Sequence, residues 1–283
     1  MIPVILFVFG IVIGSFLNVV SLRYDGDHFV LDPTVIGGRS HCPSCGRTLR
    51  WFELVPVASF FAQRGRCRTC GVRLSFQYPL VELISGFIFV LVPWRLAAMG
   101  VAGVLLPVLS GLWVFAFLSL LVMAIIDIRL GIIPDELNVA IFVAGAAIGI
   151  VLALLPAADP GSFLGPLGNF FGVGNAWAGR VVAAAAAFLF FELLVLATRG
   201  RGIGMGDVKL SLALGLLFGW PDTAVVAGFA FVCGALLGIF LIARKRKTMG
   251  GTLPFGPFLA FSAFFIFLFG GFLAQGYLRL LGV

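Results

Sequence analysis

Charge is scarce in this chain of 283 residues: Asp, Glu, Lys and Arg together make up 11%, and there are only 2 histidines. A soluble domain needs a polar surface, and 61% hydrophobic residues with a mean hydropathy of +1.15 leave too little to build one. No interleaved basic and aromatic surface of the kind that binds nucleic acid is present, so the formal net charge of +7 needs another explanation. No glycine-rich strand-to-helix turn is visible that would cradle a nucleoside cofactor, and no internal repeat of the kind common in transporters. The first apolar run lacks a basic n-region, and no small-residue cleavage site stands clear of it. It is therefore expected to stay as a membrane helix rather than to leave as a signal peptide.

What the chain does have is long apolar blocks. They fall near 1–22, 80–98, 101–126, 137–156, 176–198, 208–219, 222–243 and 253–281. Most approach the roughly 20 residues that a helix needs to cross a bilayer. The sixth is short and ends at "FGWPD", where Gly219 and Pro221 stop a helix, so it is not expected to cross by itself. The expected fold is an all-α polytopic membrane protein with about eight transmembrane helices, the sixth short. Its expected organisation is a first transmembrane helix (1–22), a polar loop domain (23–78) and a membrane core with seven apolar segments (79–283).

Orientation follows from the loop charges. With the N-terminus outside, the inner loops hold the eight arginines from Arg23 to Arg73, then Arg129, then Arg199, Arg201 and Lys209, and finally Arg244, Lys245, Arg246 and Lys247. Only Arg95, Arg180 and Arg279 remain outside, out of 19 basic residues. That asymmetry predicts both termini outside and the long first loop in the cytoplasm, and it accounts for the net charge. The Gly- and Pro-rich stretch 157–175 is expected to be an irregular outer connector.

The polar loop contains "CPSC" at 42–45 and "CRTC" at 67–70, with 21 residues between the pairs. Each C-x-x-C presents two thiolates from one tight turn, and two such turns complete a tetrahedral shell around zinc. The spacing is slightly longer than in common zinc ribbons, so the loop is expected to be zinc-ribbon-like, with Cys42, Cys45, Cys67 and Cys70 as ligands of a structural zinc. Two disulfides are the alternative, which a reducing cytoplasm disfavours. A loop of about 55 residues with few large apolar positions also benefits from a metal to hold it together. Cys233 stands alone in an apolar helix and reads as a small buried hydrophobe. His28 and His41 read as surface residues, since four cysteines already fill the site.

Ionisable groups at or within membrane spans are costly, and function is their default explanation. The candidates are Glu82, Asp127, Asp135, Glu136, Glu192, Asp207 and Asp222. Asp127 ends the third segment and Asp207 opens the sixth, both on the cytoplasmic side, whereas Asp222 falls on the outer side. Two facing carboxylates in a partly desolvated site do not both ionise, so one serves as acid and the other as base. That division of labour suits attack of water on a peptide carbonyl. The glycines before Asp207 let the backbone approach a substrate or a neighbouring helix; the plainer reading is a flexible turn. For Asp127 the plainer reading is pairing with Arg129. Lys209 and Arg201 are expected near the pair, where they hold Asp207 ionised, bind a substrate carbonyl or simply snorkel to the interface.

These motifs resemble those of the bacterial type IV prepilin peptidases, bifunctional leader peptidases and N-methyltransferases of the GxGD membrane aspartyl protease class. The likeness is carried by "GSFLNVVSLR" at 14–23, the tetracysteine stretch 39–83, "DIRLGIIPD" at 127–135, "GMGDVKL" at 204–210 and "LPFGPFLA" at 253–260. The resemblance implies that Asp127 and Asp207 are the catalytic aspartates, that Asp135 supports them, and that Cys42, Cys45, Cys67 and Cys70 bind metal. It implies cleavage of the basic leader from type IV prepilins or pseudopilins at the cytoplasmic face of the bacterial inner membrane. Methylation of the new N-terminal amine with S-adenosylmethionine as donor is implied too, without pointing to the residues that would bind it. Two other readings stay open: a membrane transporter or channel with a zinc-bound regulatory loop, and a GxGD protease of broader specificity.

Overall fold

The computed structural model describes residues 1–155, 159–165, 168, 171–172, 175–200, 202–244 and 253–280. It divides into two compact units, Met1–Val92 and Pro93–Val283. Among the described residues there is no strand, only two isolated antiparallel bridges, His41–Thr48 and Arg66–Arg73. Seven helices among the described residues are long and apolar enough to cross a membrane.

The first unit contains α1 (Ile2–Arg23), α2 (Pro33–Ile36), a 3-10 turn at Trp51–Glu53, α3 (Ala58–Ala62) and the greater part of α4 (Gln77–Ala98). In lipid no hydrophobic force drives two helices together, and small residues that allow close backbone approach replace it. Gly10 and Gly14, four apart on α1, do this against α4. A Cβ on Gly10 would lie 2.8 Å from the Gly86 Cα, and one on Gly14 would lie 2.6 Å from the Ser85 Cβ. The Ser85 hydroxyl completes the seam by donating to the Gly10 carbonyl at 2.7 Å.

The second unit is α5 (Leu105–Leu130), α6 (Asp135–Leu154), α7 (Ala176–Thr198), α8 (Met205–Phe218), α9 (Asp222–Ala243) and α10 (Gly256–Leu280). The short sixth segment is α8. Its 14 residues reach about 21 Å at 1.5 Å per residue, short of the ~30 Å hydrocarbon layer. It is also the most enclosed helix, wedged between α6 and α7. A Cβ on Gly145 of α6 would lie 2.7 Å from the Leu217 nitrogen, and one on Gly215 of α8 would lie 2.3 Å from the Ala184 Cα.

A helix that stops inside protein leaves carbonyls to satisfy. Arg180, buried on α7, meets that need by donating to the Leu216 carbonyl at 2.7 Å and to the Leu217 carbonyl. At the same end, Trp113, Phe117, Phe163, Phe218 and Phe267 form an aromatic cluster with centroids 4.7–5.7 Å apart, in edge-to-face, tilted and stacked pairs. Asp222, buried at the start of α9, accepts from the Ser162 hydroxyl at 2.6 Å and from the Phe163 and Leu164 N–H groups.

Two details differ from the sequence reading. The third segment runs on through Asp127 and Arg129 to Leu130 before Gly131, at φ +69°, ends the helix. The backbone bonds of the helix outweigh the charges in its last turn. Cys233 is half-buried on α9, not enclosed, because that helix presents much of its surface outward.

Candidate functional site

The site is assembled where α5 ends and α8 begins. Asp127 lies in the last turn of α5 and is 4% exposed; Asp207 is the third residue of α8 and is 7% exposed. They are 80 positions apart in sequence yet close enough for the Asp127 charge to act on Asp207.

Each carboxylate is aimed by one backbone donor. Oδ2 of Asp207 reaches back to the N–H of Gly204 at 3.1 Å, the residue that caps α8, which places a negative charge at the positive end of the helix. Oδ2 of Asp127 accepts the N–H of Gly256, the first residue of α10, at 3.0 Å. Oδ1 of Asp207 is buried with no protein partner. A buried carboxylate oxygen without a donor costs free energy unless water or a ligand supplies one.

The glycines act by their lack of a side chain, though not uniformly. A Cβ on Gly206 would sit 3.0 Å from the Ile133 Cβ, and one on Gly256 would sit 2.7 Å from Oδ2 of Asp127. Gly204, by contrast, has room for a methyl group.

Lys209, for which holding Asp207 ionised, binding a substrate carbonyl and snorkelling were all open, pairs with another carboxylate. Its Nζ bonds both oxygens of Asp135, at 2.8 and 2.7 Å, in a half-exposed pair. Asp135 is the first residue of α6 and its side chain is well exposed, so it is the nearer anion for a cation on the outer face of α8. The pair ties the starts of α6 and α8 together on the flank of the site. Arg201, Lys245, Arg246 and Lys247 lie outside the described residues. Asp222 stands about 20 Å from Asp207 along α8, and Glu82 accepts the Val57 N–H in the other unit.

In the first unit the four cysteines converge. Their sulfurs all lie within 4.8 Å of one another, and those of Cys42 and Cys70 are 3.8 Å apart. A tetrahedral zinc with Zn–S bonds of about 2.3 Å needs sulfurs about 3.8 Å apart, whereas a disulfide needs about 2.05 Å. All four are free thiols, so the donor set fits a zinc ion.

The two halves of this cluster are built alike. The Cys42 N–H bonds the Arg47 carbonyl and the Gly46 N–H bonds the Cys42 carbonyl; Cys67, Val72 and Gly71 repeat the pattern. Gly46 and Gly71 both take a positive φ, 70° and 69°, where the chain doubles back. The backbone N–H groups of Cys45 and Ser44 hold the Cys42 thiol below its usual range, and those of Cys70 and Thr69 bring Cys67 down to about 6. Thiolate is the form that binds metal.

The sequence reading missed Glu53. Its side chain is almost inaccessible, and it accepts from Arg47 at 2.5 Å and from the Arg50 N–H at 2.9 Å, holding the first knuckle to the 3-10 turn. It is the only acidic residue between 39 and 76, which was the available signal.

Comparison with known proteins bears on the family. The model of the bacterial peptidase A24 N-terminal domain matches residues 8–96, and that of the type IV leader peptidase family matches residues 114–239. Curated relatives called prepilin leader peptidase/N-methyltransferase align with most of this chain. One from Bacillus subtilis is 32% identical and covers 98% of both chains. One from Pseudomonas putida is 34% identical over 97% of this chain and 93% of its own, and one from Burkholderia pseudomallei is 34% identical over 89% and 81%. No solved structure matches the chain. With both family models matched in order and relatives a third identical from end to end, this multi-pass membrane chain belongs to the type IV leader peptidase family.

Proposed function

We propose that Asp127 and Asp207 form the catalytic pair of an aspartyl endopeptidase that removes the basic leader of type IV prepilins or pseudopilins at the cytoplasmic face of the inner membrane. The observation that carries the proposal is the burial of both carboxylates at one site, each oriented by a single backbone N–H.

Two carboxylates in such a site share a proton. The ionised member takes a proton from a water molecule as that water attacks the scissile carbonyl. The protonated member donates to the carbonyl oxygen. The unpartnered Oδ1 of Asp207 is the atom positioned to hold the water or the substrate carbonyl. A prepilin crosses the membrane with its basic leader inside, so its scissile bond lies at the inner interface. The excess of basic residues in the loops beside α5 and α8 supports reading their ends at that level, with both termini of the chain on the opposite side.

Residues 23–78 would form a cytoplasmic domain on one structural zinc held by Cys42, Cys45, Cys67 and Cys70. There the metal would supply cross-linking in place of an apolar core. The N-methyltransferase activity in the relatives' name extends to this chain as methylation of the new N-terminal amine, with S-adenosylmethionine as donor. The described residues contain no glycine-rich strand-to-helix cradle for a nucleoside, so methyl transfer is not assigned to particular side chains.

The test is co-expression of a prepilin with the wild-type chain, Asp127→Asn and Asp207→Asn, with leader loss read as a mobility shift. Both variants should insert normally and lose at least 10²–10⁴-fold in processing rate. Near wild-type processing by either one removes that residue from the chemistry.

A further inference from the structure

The segment between the two cysteine knuckles is tied to the membrane helix that follows it. The Val57 N–H donates to Oε2 of Glu82 at 2.7 Å. Glu82 lies five residues into α4, or about 7 Å along its axis, and α4 is one of the helices long and apolar enough to span. Val57 itself takes φ +61°, a conformation that a β-branched residue adopts only under constraint. The backbone at 57 is thus held at the depth of the second turn of a spanning helix, the depth of lipid headgroups and upper acyl chains.

Around that anchor the chain exposes large apolar side chains. Trp51 is 79% exposed and Phe61 is 60% exposed, and Leu54 and Val55 are also open. Phe76, 62% exposed, immediately precedes α4 and joins the same set through the Phe60 ring, 6.0 Å from Phe76 and 5.7 Å from Phe61. The surrounding charge is of one sign. Between residues 39 and 76 there are seven arginines, and the one acid, Glu53, is already engaged by Arg47. Four thiolates on a zinc ion would return two negative charges, which leaves the surface cationic.

Aromatic side chains at headgroup depth, rimmed by arginine, match a bilayer interface carrying anionic lipid. A basic peptide would be repelled. We infer that residues 51–61, together with Phe76, form an interfacial insertion that docks this domain on the anionic headgroups of the leaflet where α4 begins. The inference rests on α4 spanning the membrane and is independent of the role of the aspartates.

Trp51 provides the readout. The full-length chain is placed in nanodiscs of phosphatidylcholine alone or rich in phosphatidylglycerol, and the emission of Trp51→Phe is subtracted from that of wild type. In the anionic discs the Trp51 component should be blue-shifted, insensitive to aqueous iodide, and quenched at least about twofold by lipids brominated high on their chains. A second reporter, Phe61→Trp in the Trp51→Phe background, should behave the same way. Emission open to iodide in both disc types overturns the insertion. So does a signal that neither quencher reaches, which would mean that protein covers the segment. Equal bromine quenching in neutral and anionic discs overturns the dependence on anionic lipid.

Discussion

The bond from the Gly256 N–H to Asp127 gives a prediction with a magnitude. In Gly256→Ala the new methyl group would lie 2.7 Å from Oδ2 of Asp127, about 0.7 Å inside the 3.4 Å where ordinary contact begins. It would also lie 2.9 Å from the Met123 sulfur, which sits on a flexible side chain and gives way. The carboxylate is less free, because its position is set by the same residue's N–H. Either Asp127 withdraws or α10 shifts, and in both cases the 3.0 Å bond is disturbed.

A displacement approaching 1 Å at a reacting group costs on the order of 10²-fold in rate, about 2.7 kcal/mol of barrier. Overpacking costs about 1–3 kcal/mol of stability, partly offset by the better helix propensity of Ala, so the variant should still fold. Gly204→Ala is the internal control. Its methyl group would lie 3.7 Å from Oδ2 of Asp207, an ordinary contact, and the exchange at a helix cap costs under ~1 kcal/mol. Single-turnover cleavage of a prepilin by each protein in nanodiscs should show a fall of about two orders of magnitude for Gly256→Ala and a small change for Gly204→Ala. Wild-type turnover by Gly256→Ala, or an equal loss in both, would refute the steric reasoning.

Three further outcomes are expected. Lys209→Ala removes only a half-exposed pair worth up to about 1 kcal/mol, so cleavage should fall no more than severalfold; a collapse to background would place Lys209 in the chemistry. Metal analysis of purified protein should find one zinc per chain, absent in Cys67→Ser together with increased proteolysis between 39 and 74; two disulfides and no zinc would contradict the metal site. Arg180→Leu leaves the Leu216 and Leu217 carbonyls unpaired inside protein, at about 1–3 kcal/mol each. Its unfolding midpoint in nanodiscs should drop clearly, and an unchanged midpoint would show that water caps that end of α8.

The sequence alone determined whatever depends on neighbours along the chain. Run lengths of apolar residues yield seven spanning helices and the short α8, because crossing a bilayer is a condition on consecutive residues. The two C-x-x-C pairs disclose a metal-binding pattern for the same reason, as two ligands three positions apart share one turn. Asp127 and Asp207 stand out as carboxylates where the chain is otherwise apolar. What tertiary structure alone decided are contacts between distant segments. Gly256 orients Asp127 from 129 positions away, Asp135 takes Lys209 from 74 positions away, and Arg180 closes the end of α8 from 36. Nothing in the local pattern predicts these bonds, since a backbone N–H or a cation carries no record of its partner. Only the packing of α5 to α8 and α10 selects which polar group meets which, by bringing particular acceptors within reach of each donor.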